Sequence, residues 1–450
     1  MHKKILAVLI LFIPVLTIAQ VTTNSPYSQF GLGMWKEPID GVSLGRGGAR
    51  IGLNDSTYAN IHNPASLPYL GKGQPLFSFD LSTRFSNFES ASGKSSDHLV
   101  YLNSIQIAIP FAKRFALALG MKPVISRGYD FKTYEVIAGD SLRHSYMGEG
   151  GVQQVYFNFS AAILKNEKNY LALGADLGYN FGNTTNSKRS DWINSSSYFN
   201  GLYTVNDRIR GFSLNTGLSY QYTISKYSSF SIGVTYAMPT YWKTTSLESL
   251  VRYTGDYDIS PANIDTIFST GELGGKVFIP QRIGFGVGYE IRAREDSLKS
   301  RLLMHRVRIL ADFEMMSWGQ YKKEVNGIPV NETYSDAMYA RFGVEYTPHH
   351  KFLDKSPSIK YLSKMTYRLG ANYGQIPGGD TRLTDFGMTF GLGFPIPFNR
   401  SVSSLNIGMK IGQQGEIGPT SIRERYIGVN VGIILSPGFN DKWFRKFKYD

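Results

Sequence analysis

Cysteine is absent from the 450 residues. That removes disulfide scaffolds, thiolate-bound zinc and thiol catalysis. Charge is scarce as well, at 18% Asp, Glu, Lys and Arg against the usual ~25%, which argues against a solvated disordered chain or a coiled coil. After residue 20 no apolar run approaches the ~20 residues a membrane-spanning helix needs. Seven histidines leave little material for metal or acid–base sites. What the chain has instead is Tyr (29), Phe (28) and Gly (47). Length alone would suggest about three soluble domains, but this composition points elsewhere. The formal net charge of +13 raises a nucleic-acid reading. The surplus is spread thinly, with no basic block interleaved with aromatics, so no nucleic-acid partner is expected.

Residues 1–19 read as a signal peptide. Lys3 and Lys4 precede an apolar run over 5–16, and Thr17 and Ala19 stand at −3 and −1 before Gln20. No cysteine follows, so a lipid anchor is not expected.

From Leu76 onward the dominant period is two. In the stretch RIGFGVGYEI, Ile283, Phe285, Val287, Tyr289 and Ile291 share one parity, while Arg282, Gly284, Gly286, Gly288 and Glu290 share the other. Strand side chains alternate between faces, so one face is greasy and the other small or charged. Fourteen segments follow this pattern: 75–90, 99–111, 114–126, 152–164, 169–182, 209–224, 228–239, 277–291, 305–318, 336–348, 363–376, 383–396, 402–415 and 424–435. Most exceed the ~5–6 residues of globular strands and match membrane-barrel strands. Long connections (127–151, 183–208, 240–276, 319–335) mostly alternate with short ones, with 292–304 and 349–362 as exceptions, the asymmetry of an outer-membrane barrel with long loops outside. The pattern predicts an all-β protein: a 14-stranded antiparallel transmembrane β-barrel over 75–435 in contact with outer-membrane lipid. Both termini are expected on the periplasmic side, with a basic-aromatic tail at 436–450.

Arg306, Arg308, Asp312, Glu314, Arg341 and Glu345 fall on the inward parity of two neighbouring segments. They predict either a lumenal ion-pair ladder or an ordinary wet interior. The inward glycines predict clearance for a plug or bent walls. Residues 20–74 lack strand period, are punctuated by glycine, and read as a compact hatch with little charge at its centre.

The hatch residues carry a resemblance. Gly45, Gly47, Gly48 and Ala49, then Asp55, Ser56 and Thr57, then Asn63, Pro64, Ala65 and Leu67 resemble the hatch signature of FadL/TodX-type outer-membrane transporters of hydrophobic compounds. The opening NSPYSQFGLG at 24–33 resembles the start of mature FadL-like proteins of Bacteroidetes. The resemblance implies a fourteen-stranded barrel closed by a hatch and passive passage of a hydrophobic small-molecule ligand. It also implies lateral exit at the third strand, where Gly120 and Pro123 mark the candidate opening. The alternative for Pro123 is a strand that bends or ends there. Phe30, Trp35 and Tyr58 are candidate ligand contacts, with hatch packing as their ordinary role. The same family includes a secretion-system shuttle, so a non-transporting subunit or carrier in an outer-membrane complex is the alternative function. Two departures stand out: Met34-Trp35-Lys36 lies where relatives carry an acidic residue, and the tail follows the last strand.

No catalytic residue, metal site or cofactor is expected. Gly41-Val42-Ser43-Leu44-Gly45 matches G-x-S-x-G, but a nucleophile elbow needs a strand before it and a helix after it. His349 and His350 are adjacent in a turn and are not expected to share a metal.

Overall fold

Alternating sequences of this length bury one face only if the sheet closes. The computed structural model describes residues 22–436 except 38, 71–74, 92, 138, 194–197, 256–261, 293–303, 333, 351–359, 379–380, 397–402 and 419–420. The signal-peptide reading over 1–19 and nearly all of the tail lie outside the described residues.

Fourteen antiparallel strands form the barrel: β1 (Leu76–Ser90), β2 (Gly93–Ile109), β3 (Phe115–Ser126), β4 (Asp140–Lys165), β5 (Asn169–Trp192), β6 (Asn200–Ser225), β7 (Ser228–Ala237), β8 (Arg282–Arg292), β9 (Arg306–Met316), β10 (Ala337–Thr347), β11 (Thr366–Gly378), β12 (Thr381–Pro395), β13 (Ser404–Gln414) and β14 (Arg423–Leu435). β14 closes the ring on β1 with Phe77 opposite Leu435 and Glu89 opposite Arg423. Each predicted segment except 277–291 corresponds to one strand. Phe285, Phe342, Leu369, Phe386 and Met388 stand exposed on the outer face. Arg308, Asp312, Glu314, Arg341 and Glu345 are buried inside. An outward ring of large apolar groups is the surface a lipid bilayer requires, and closure pairs the backbone polar groups that lipid cannot.

The predicted long loops differ from the structure. Strands β4, β5 and β6 run 24–26 residues and continue past the barrel. Tyr129–Ile137 pairs with β4, and Thr240–Thr254 pairs with β6. Leu273–Ile279 lies against Thr240–Ser246 on one side and Lys322–Val325 on the other. Segments read as connections are thus mostly a sheet extension beyond the barrel rim. The stretch 277–291 is also two elements rather than one. The strand breaks at Pro280 and Gln281 because proline lacks the ladder donor. Its first part belongs to the extension and its second is β8.

Residues 22–70 occupy the lumen. Their core packs Val42, Ala49, Leu53, Tyr58, Leu67 and Leu70 against Leu76, Ala108, Ala116, Ala118, Leu310 and Ile434 of the wall. A second core joins Leu32 to Val124, Ile125, Trp242, Ile279, Met316 and Trp318, with Trp35 packed against it, so the extension caps the start of the hatch. Thr22 donates from its backbone to Ser126 Oγ at 2.7 Å, at the rim end of β3. Leu435 ends at the opposite rim, beside Phe77. The described residues thus begin at one rim and end at the other.

Candidate functional site

The hatch is placed by glycines. Between β6 and β13, inward glycines meet its backbone directly. A Cβ at Gly233 would run into the Ile51 carbonyl, one at Gly343 into Arg46, and one at Gly370 into Gly47. Clearance for a plug, one of the two reasons inferred for the inward glycines, is what these positions provide. Gly47 and Gly48 turn the chain with φ of +68° and +87°, a region that L side chains disfavour. Gly47 N donates to Thr389 Oγ1 at 2.8 Å.

Charge then locks what glycine admits. Asp55 pairs with Arg308. Arg46 pairs with Glu345 at 3.4 Å, and Glu345 also takes Arg308 at 3.2 Å and Arg368 at 2.9 Å. The backbone N–H groups of Arg50 and Ile51 donate to Asp312 Oδ2 at 2.6 and 2.8 Å. Glu37 binds Arg50 at 2.5 Å and also Arg341, which reaches Glu314 at 2.9 Å. The inward charges of β9 and β10 form ion pairs across the two strands and are at the same time the socket for the hatch. Burial acts to raise the Asp55 carboxyl, but Arg308 and Arg306 overcome it and hold the group down at about 2. Burial likewise opposes ionisation of Glu37, and Arg341 and Arg50 outweigh it, leaving the carboxyl well below its ordinary range. Burial, then Arg50, push the His62 imidazole well down.

The remaining signature residues are structural too. Asn63 caps the 3-10 helix Pro64–Tyr69 by accepting from Ala65 N at 3.1 Å. Its amide donates to the Ile51 carbonyl at 2.8 Å and reaches the Leu218 carbonyl of β6. Ala65 packs with Ala162, Ala172 and Tyr170 of β4 and β5, and Ala49 is fully buried in the hatch core. Asp40 caps the short helix Gly41–Leu44 and holds Tyr58 OH. Ser43 Oγ bonds Asp40 and Tyr58 at 2.9 Å each, so the G-x-S-x-G match is a buried helix turn whose hydroxyl, among the described residues, meets no imidazole. Glu37, His62 and Glu314 converge as ligand-type groups. Arg50, Arg282 and Arg341 already sit on the two carboxylates. His349 and His350 both bond the Met304 backbone, as acceptor from its N–H and donor to its carbonyl.

The wall is thin at β3. β2 and β3 share five paired positions, from Ile109 opposite Leu117 to Ile105 opposite Met121. β1 and β14 share thirteen. Beyond Met121 the edge of β3 is taken by the hatch: Met34 faces Ser126, Trp35 faces Ile125, and Lys36 N donates to the Val124 carbonyl at 2.7 Å. β3 does not end at Pro123. It bulges between Pro123 and Ile125 and runs on to Ser126 against β4. Gly120 lies below, where a side chain would collide with Tyr156. Behind the hatch strand is a mostly apolar cavity of about 50 Å³ whose lining includes Trp35, Pro123, Val124, Met238, Trp242 and Trp318. Trp35 stands edge-on to Trp318 at 5.5 Å. On the other face of the same strand lies a cavity of about 160 Å³ of mixed lining, with charged groups among apolar ones. Burial, then Arg84, push the Lys36 ammonium facing it down to about 7, against an opposing pull from Glu424.

Of the three aromatic candidates, only Trp35 lines the cavity at Pro123. Tyr58 is tied to Asp40, and Phe30 is exposed. Sequence reasoning passed over Glu37, Arg46 and Arg50. The balanced inward charges of β9 and β10 were the available signal that the hatch must bring partners.

Solved structures of the same architecture exist. The chain is similar to the CymD monoaromatic hydrocarbon channel, at 12% identity and TM-score 0.54 over 90% of this chain and 98% of that one. The Ralstonia pickettii toluene transporter TbuX gives 14% and 0.54 over 89% and 98%. A Pseudomonas aeruginosa FadL homologue gives 12% and 0.51 over 91% and 100%. At such identity the likeness is one of fold. No curated protein matches the sequence. A family model spans it from end to end, and with residues 1–450 matched the chain belongs to the BamG family.

Proposed function

We propose that this chain is an outer-membrane barrel that passes small hydrophobic or amphipathic compounds passively, with lateral exit through the wall at β3. The carrying observation is the edge of β3. It leaves β2 after Met121 and is covered by a two-residue hatch strand. Lipid cannot satisfy a free strand edge, so an opening here has to be closed by protein until a ligand displaces it. The greasy cavity bounded by Trp35 and Pro123 lies directly behind. At about 50 Å³ it is too small for a monoaromatic ring, given that benzene occupies a cavity of ~150 Å³ elsewhere. Passage therefore requires the hatch strand to leave β3. The channels and transporters of similar fold support the substrate class. The reading carries with it long loops outside the cell, a signal peptide at 1–19, a hatch over 20–74 and a periplasmic tail. Uptake of labelled toluene by cells lacking the protein and by cells restored with it tests the reading. Equal uptake across a panel of hydrophobic substrates overturns it.

A second reading has its own observation. The sheet extension carries exposed apolar side chains beyond the barrel, among them Tyr134, Val136, Ile264, Ile267 and Ile328, where lipid does not explain them. A subunit of an outer-membrane protein secretion or assembly complex would cover them. Stoichiometric partners in a mild-detergent purification, lost when these residues become polar, favour this reading. A solitary barrel counts against it.

A further inference from the structure

The mixed cavity of about 160 Å³ is walled by the hatch, chiefly residues 34–37, and by β1, β2, β9, β10, β11, β12, β13 and β14. Its volume is about that of an engineered cavity that holds benzene, and its lining mixes Tyr101, Tyr339 and Tyr426 with Met34 and Ile376. Four cations face it. Arg84 is held by Glu424 at 2.7 Å and lies 3.6 Å over the Tyr426 ring. Lys410 is held by Asp385 at 3.0 Å. Arg341 is held by Glu314 and Glu37. Lys36 differs: among the described residues it makes no ion pair, and its nearest assigned contact is the Tyr101 ring, 5.8 Å from Nζ. Arg50 and Arg282 share the carboxylates of Glu37 and Glu314, and Asp312 lies by Arg341 and Arg50, so six cations stand against five carboxylates around this space. A half-buried ammonium without a counter-ion is costly, and the Lys36 backbone bond to Val124 keeps its main chain in place.

We propose that this cavity binds a small organic anion with a flat apolar body, its carboxylate at Lys36 and its ring among Tyr101, Tyr339 and Tyr426. The carboxylate supplies the counter-ion that the fold omits. The tyrosine rings and methionine supply a surface for the body, and tyrosine hydroxyls leave one end of the space polar. The site lies across the hatch strand from the Pro123 cavity and does not depend on lateral exit.

The test is calorimetry on the full-length protein in detergent, with benzoate as probe, nitrobenzene as its uncharged isostere and toluene as the neutral reference. Benzoate is expected to bind at least about tenfold more tightly than nitrobenzene, the worth of one charge-assisted hydrogen bond. Lys36→Met should weaken benzoate by at least about tenfold more than it weakens toluene, and Lys36→Arg should restore most of the loss. Nitrobenzene binding as well as benzoate overturns the proposal without needing a variant, as does benzoate binding undiminished by Lys36→Met. Toluene binding without benzoate overturns this inference alone. Lys36-dependent benzoate binding without any toluene binding upholds it and tells against a hydrophobe site behind the hatch strand.

Discussion

At the scale of single residues, the hatch signature is a set of locks. Asp55 is buried on Arg308, which keeps Glu290 and Glu345 when Asp55 is lost, so removing the carboxylate costs the charge-assisted bond, about 1.5–3 kcal/mol, rather than stranding a charge. Asp55→Asn should therefore loosen the hatch while the wall persists. Hydrogen exchange across 45–65 should rise, with strand amides unchanged. The pH dependence follows from the direction of the shift. The carboxyl is held below its ordinary value, at about 2. Its contribution is then fully present above the usual carboxylate range and lost as pH falls through about 2. Hatch protection in the unaltered protein should persist at pH 3. Loss of protection already at pH 4 would contradict the assignment. Ser43 belongs to the same scale: bound to Asp40 and Tyr58, it is a packing hydroxyl.

At the scale of elements, the inward glycines divide into those that meet the hatch and those that do not. A side chain at Gly343 would enter Arg46, whereas one at Gly428 would meet only the Thr83 carbonyl at 3.9 Å. Gly343→Val should unseat the hatch, at the ~1–3 kcal/mol of overpacking, and raise single-channel conductance in a planar bilayer. Gly428→Ala should leave conductance low. On the opposite face, Phe342→Arg places a charge toward lipid and should cost about 2–4 kcal/mol near the midplane, read as impaired folding into vesicles. Strands were legible because period two is a local property: the parity of Phe285 or Phe342 depends on nothing distant. The extension was not legible, because whether 240–276 pairs or dangles depends on partners in β6 and on Lys322–Val325, far along the chain. The hatch motif was readable as a pattern. Its partners Arg308, Asp312 and Glu345 were visible only as inward charge, since sequence gives parity but not what fills the lumen.

At the scale of the whole molecule, the barrel is a closed wall with one seam, and the hatch is both plug and missing stretch of strand. Met34 and Trp35 stand where β2 would have continued along β3. On the proposed route, plug movement and wall opening would be one event, because a hatch strand leaving β3 would uncover the seam and enlarge the cavity at Pro123 together. The absence of native cysteine allows a clean test of that coupling. Met34 and Ser126 are antiparallel partners, and such partners have Cα atoms about 4.5–5.5 Å apart, within disulfide reach. Met34→Cys with Ser126→Cys should crosslink on oxidation and abolish uptake of labelled toluene, and a reductant should restore it. Each single cysteine should leave uptake indifferent to redox conditions. A crosslinked protein that still transports would show that the seam at β3 is not the way out, and that the hatch strand is a permanent part of the wall.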